Sequence, residues 1–122
     1  MPLAATLGFE AEEISAERVV LAVDVADGLC TSGGVLHGGT VMALADTAGA
    51  ACAFLNLPDG AVGTTTIQSA TNFLRGARDG RVLATATPLH VGGTTIVVET
   101  EIRNGDRVIA KTTQTQAVLR AR

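Results

Sequence analysis

The stretch Val35-Leu36-His37-Gly38-Gly39-Thr40-Val41-Met42-Ala43-Leu44-Ala45-Asp46 decides how this chain is read. A His-Gly-Gly turn opens into a run of small and apolar residues whose one ionisable member is Asp46. Apolar residues on all sides of the run predict a buried helix, and burying a carboxylate with it is costly unless something compensates. Chemistry, rather than packing, is the better reason for Asp46.

Working outward, the helix is expected to begin near Gly38–Gly39 and to run to about Leu55, where Asn56, Pro58, Asp59 and Gly60 stop it. Its roughly 17 residues would span ~25 Å. Backbone N–H groups are unpaired at a helix start, and the dipole is positive there. Gly38 and Gly39 let a ligand atom approach that backbone closely. A carbonyl placed there would have its developing negative charge stabilised, as in an oxyanion hole.

On the N-terminal side, Gly8 to Ile14 and Arg18 to Val25 read as a strand pair, followed by a glycine-rich loop from Ala26 to Leu36. Downstream, Val62 to Leu74, Arg81 to His90, Thr94 to Arg103 and Arg107 to Leu119 read as four strands in a consecutive meander. In the third of these, Ile96, Val98 and Ile102 fall on one face, and Glu99, Glu101 and Arg103 on the other. Asn104-Gly105 is the strongest short hairpin signal in the chain. The expected class is α+β, with one long apolar helix and an antiparallel sheet of five to six strands. That sheet has to curl around the helix, or a partner chain has to cover what it leaves bare.

Length and composition set the outer limits. At 122 residues the chain is expected to be one domain, 1–122, with a sizeable core. Hydrophobic residues make up 47% and aromatics only 2%, so that core must be built from Ala, Val, Leu, Ile and Thr. A net charge of −3 supplies no basic patch, which argues against nucleic acid and anionic membrane as partners. The longest mainly apolar run, Val41 to Leu57, contains Asp46 and reads as a buried helix rather than a membrane span. The N-terminus lacks the basic and apolar segments of a signal peptide. Cys30 and Cys52 form no metal-type spacing, so no metal site is expected, and a reduced, cytoplasmic setting is the simpler expectation.

The segment from His37 to Ala48 resembles the signature of the hotdog-fold thioesterases, closest to the phenylacetate-pathway (PaaI-like) acyl-CoA thioesterases. Asn72-Phe73-Leu74-Arg75 resembles a second, weaker motif of that family. The resemblance implies a hotdog fold and hydrolysis of an aryl- or medium-chain acyl-CoA to the free acid and CoA, without a cofactor. It implies that Asp46 is the catalytic carboxylate, attacking directly or activating water. It assigns the oxyanion donor to the Gly38 N–H and makes His37 and Gly39 line the site. Thr64-Thr65-Thr66-Ile67 resembles the family segment that sends a hydroxyl in from a partner subunit, and spacing selects Thr66.

Arg75 and Arg78, with Arg81 nearby, are candidates to pair with CoA phosphates. Thr31 stands where the family usually has Asn, and a hydroxyl cannot reproduce an amide's hydrogen-bonding pattern. The family further implies a homodimer with shared sites, commonly paired into a homotetramer. Two alternatives stay open at this point: an acyl-CoA-binding or ligand-sensing hotdog protein without turnover, and a dehydratase or hydratase on the same fold. The spacing of acid and His37 fits the thioesterases better than the latter.

Overall fold

Helix α2 (Gly38–Phe54) lies against the inner face of a six-stranded antiparallel sheet that curls around it. The computed structural model describes all 122 residues, Met1–Arg122. A short helix α1 (Pro2–Leu7) precedes strands β1 (Glu10–Ile14) and β2 (Val19–Asp24), and a single 3-10 turn (Asp27–Leu29) leads into the loop before α2. Strands β3 (Ala61–Phe73), β4 (Arg81–Val91), β5 (Thr95–Asn104) and β6 (Arg107–Arg120) follow.

The strand order is β1-β2-β4-β5-β6-β3. Only β4, β5 and β6 form the expected meander. β3 does not pair with β4 but crosses over to the far edge, where it lies against β6. Strand pairing across a seven-residue link is not set by a local turn, so the tertiary fit around α2 decides it. The β5–β6 hairpin forms where Asn104-Gly105 placed it, one residue along. Asn104 pairs with Arg107, and Gly105 (φ 60°) opens the two-residue loop as in a type II′ turn.

The core is the expected mixture of small and branched residues. Val19, Val23, Val82, Ala84, Ala86, Ile96, Val98 and Ile102 from the sheet close on Leu44, Ala45, Ala48, Cys52 and Ala53 of the helix. The helix, however, is not buried all round. Its buried positions (Thr40, Val41, Leu44, Ala45, Ala48, Gly49, Cys52 and Ala53) form one stripe, while Met42, Asp46 and Phe54 stay exposed. The expectation of a buried Asp46 is therefore corrected for the single chain: one sheet face can cover only one side of a helix. The bare side and the free edge of β3, with Val62, Ile67 and Phe73 exposed, leave an apolar surface of the sort that associating proteins cover.

Candidate active site

The site is built from two places on α2. At its start, His37 is extended (φ −62°, ψ 136°), and its Nδ1 accepts the Gly39 N–H at 2.8 Å. The imidazole is thus the N-cap, and with Nδ1 accepting, a neutral ring carries its proton on Nε2. This corrects the place given to Gly39: its amide is committed to His37 and is not available to a ligand. Gly38, the first helical residue, keeps an N–H that no turn of the helix can satisfy. The Phe73 ring packs so near that a Cβ on Gly38 would lie 3.3 Å from it.

Gly38 opens onto a cleft of about 390 Å³, walled by Val35, Leu36, Val41, Phe73, Leu74 and Ile109, with Arg75 at its lining. Thr40 Oγ1 donates to the Leu29 carbonyl at 3.0 Å and ties the loop to the helix. Thr31 lies in that loop, exposed, where its hydroxyl accepts the Val35 N–H at 3.4 Å. Arg78 reaches across to donate to the Gly33 carbonyl at 3.0 Å. Arg81 is not with them: Glu10 at 3.0 Å and Asp24 at 3.1 Å hold its guanidinium, and both raise its pKa.

The second place is Asp46. Its Oδ1 accepts from Thr66 Oγ1 at 3.0 Å and from Gln114 Nε2 at 3.2 Å, and Gln116 Nε2 donates to Thr66 Oγ1 at 2.6 Å. Thr66 therefore meets Asp46 within one chain, which corrects the expectation of a hydroxyl reaching it from a partner. A β-bulge makes this possible. Opposite β6, Ser69 pairs with Gln114, and strict alternation would next place Ile67 against Gln116. The register shift at Ile67 puts Thr66 there instead.

Gln114 and Gln116 were not singled out in the sequence. The signal was present, since Thr112, Gln114 and Gln116 share the inward phase of β6 with Ala110. Polar residues in a core phase ask for an explanation. One residue on from Asp46, Thr47 and Ala51 line an open apolar pocket of about 220 Å³ bounded on the other side by Met1, Ala4, Phe9 and Leu21. Cys52 belongs to the core, and burial pushes its thiol pKa up, away from nucleophilic thiolate. No group of three or more His, Cys, Asp or Glu side chains is placed to hold a metal ion. No helix is long and apolar enough to cross a membrane.

Comparison with known proteins completes the picture. Residues 33–111 match the model of the Thioesterase superfamily, a span that includes Gly38, Asp46, Thr66 and Arg75. ComA2 of Bacillus subtilis is 35% identical over 115 residues, covering 93% of this chain and 91% of its own length. Among solved structures, Rv1847/MT1895 of Mycobacterium tuberculosis superposes with a TM-score of 0.95 at 28% identity, over 100% of this chain and 99% of its own. The thioesterase HI1161 of Haemophilus influenzae superposes with a TM-score of 0.90, also at 28% identity, over 97% of this chain and 82% of its own. With helix, sheet and sequence in agreement, the chain belongs to the thioesterase superfamily and is a thioester hydrolase of the hotdog fold.

Proposed function

We propose that residues 1–122 act as one domain that hydrolyses an acyl-CoA thioester to the free acid and CoA, at sites shared between two copies of the chain. The observation that carries this is the exposed Asp46 carboxylate, held by Thr66 and Gln114 on an otherwise apolar helix face. In one route Asp46 takes a proton from water as the water oxygen bonds to the thioester carbonyl carbon. In the other the carboxylate itself attacks, and water then releases the acyl group. In both, the C–S bond breaks and the sulfur leaves as the CoA thiol. The Gly38 N–H supplies the donor for the carbonyl oxygen, a group whose loss elsewhere costs ~10²–10³ in rate.

Distance supports sharing between chains. Gly38 and Asp46 stand eight positions apart on one helix, about 12 Å along its axis. One carbonyl cannot touch both, so the Gly38 of one copy serves the Asp46 of another. The open edge of β3 and the bare side of α2 give a second copy its seat, and a homotetramer built from such dimers is compatible with the fold. The apolar pocket beside Thr47 takes the acyl group, aryl or medium-chain, and no cofactor is called for. Arg75 and Arg78 stand on the Gly38 side, where CoA phosphates would run, and Thr31 and His37 shape the loop there. Two free cysteines suit a cytoplasmic setting.

The test is thiol release from a panel of aryl and aliphatic acyl-CoAs, wild type beside Asp46→Asn. The expected result is turnover by wild type and a loss of ~10²-fold or more in the variant. Unchanged turnover in Asp46→Asn would remove the carboxylate from the mechanism. Binding of acyl-CoA without any turnover would favour the sensing protein, a reading that the exposed Thr31 hydroxyl, spent on the Val35 amide, keeps in view.

A further inference from the structure

Two buried side chains of β6 carry out no step of the chemistry just described. Gln114 and Gln116 are 1% and 0% exposed, and each carries an amide oxygen without a hydrogen-bond partner. A buried polar atom left unpaired weighs against folding, so the other end of each amide has to account for its place in the core. Those ends, the two Nε2 groups, point at one place: Gln114 to Asp46 Oδ1 and Gln116 to Thr66 Oγ1.

The direction of every bond in the chain is fixed by its terminus. A carboxylate can only accept, so the Thr66 hydroxyl must donate its hydrogen bond to Asp46 Oδ1. The Thr66 oxygen is then an acceptor, and Gln116 must present N–H to it. Both donors to the carboxylate converge on Oδ1, and no donor of the same chain is directed at Oδ2. The helix makes room for this arrangement. A Cβ on Gly49 would lie 2.0 Å from Gln114 Oε1 and 2.4 Å from Gln114 Cδ, so only glycine lets the amide pass beneath α2 to Asp46.

We propose that Gln114 and Gln116 are positioning residues that anchor Asp46 through Oδ1, making Oδ2 the oxygen that reacts, with Gly49 as the opening through which Gln114 reaches it. This rests on the assignment of Asp46 made above. As a general base, Oδ2 takes the proton of the water whose oxygen bonds to the carbonyl carbon, and that proton leaves on the CoA sulfur as the C–S bond breaks. As a nucleophile, Oδ2 bonds to the carbonyl carbon, the C–S bond breaks and sulfur takes its proton from solvent, and water then cleaves the anhydride to release the acid and restore the carboxylate. Either way, an unanchored carboxylate rotates about its Cβ–Cγ bond and spends less time aimed at the substrate.

The experiment compares wild type with Gln114→Met, Gln116→Met and Gly49→Ala, using full-length protein and the best acyl-CoA of the panel. Methionine keeps the length of glutamine without a donor, and Gly49→Ala removes no polar group while favouring the helix. The expected result is a fall in kcat of about 10-fold or more for Gln114→Met and Gly49→Ala, with KM within about twofold of wild type. Gln116→Met, acting one bond further away, is expected to lose less. Wild-type kcat in a folded Gln114→Met and in Gly49→Ala would overturn the proposal.

A readout independent of turnover separates this from the functional assignment. In NMR spectra, the Gln114 side-chain amide protons should shift on Asp46→Asn, and an unmoved signal overturns the anchor. A wild-type protein that cleaves no thioester, yet shows that shift, would refute the assigned function and the reactive role of Oδ2 while upholding the anchor.

Discussion

β5 and β6 lie side by side under the same helix and turn opposite kinds of residue toward it. Along their shared ladder Ile96 faces Gln116, Val98 faces Gln114, Thr100 faces Thr112 and Ile102 faces Ala110. All eight are inward and 1% exposed or less. One strand is a core strand with a single hydroxyl, and its neighbour carries a run of amides and a hydroxyl at the same depth. Burying an amide without full pairing is costly in a way that burying Ile is not. The two unpaired amide oxygens both fall on the side of the sheet that leads to Thr66 and Asp46. Core and site are thus two halves of one surface, distinguished by what stands above them on α2.

That contrast can be broken from the apolar side first. Ile102→Ala should destabilise the fold by about 2–5 kcal/mol in denaturant unfolding, by lost burial plus the cavity left behind. Its kcat should change little, since no side chain of β5 hydrogen-bonds to Asp46. A smaller and opposite effect sharpens the comparison. Thr100, fully buried, has a hydroxyl with no partner. Thr100→Val keeps the shape and removes the orphan, so it should be neutral or stabilising by up to about 1 kcal/mol in the same measurement. A clear loss of stability would mean that Thr100 belongs to the polar half after all.

Much of this was legible in the chain. The helix bounds came from Gly38–Gly39 and from Asn56 and Pro58, and the observed end at Phe54 differs by one residue. The alternation in β5 placed Ile96, Val98 and Ile102 inward correctly, because a sheet with one covered face enforces its period. What escaped was non-local. The partner of β3 depends on closure around α2, and the bulge that trades Ile67 for Thr66 shows only once β3 is laid against β6. α1 went unread although Pro2 at its start and Gly8 (φ 77°) at its end are ordinary helix signals. Asp46 stood out because it is the one charge in an apolar run. Its anchors did not, since glutamines in a strand rich in threonine look like surface until the phase is counted.

In the proposed mechanism Gly38 and Asp46 act on one substrate from two different chains. Gly38→Pro removes the N–H at the first helical position, where proline is tolerated, and His37 before it already has the extended backbone that proline requires. Asp46→Asn and Gly38→Pro, each expected to be nearly inactive alone, would be co-expressed with different tags and the mixed species purified. A shared site predicts that the mixed dimer regains about half of the wild-type thiol release, because one of its two sites carries neither lesion. Mixed dimers as inactive as either parent would contradict the account and place both groups of each site in a single chain.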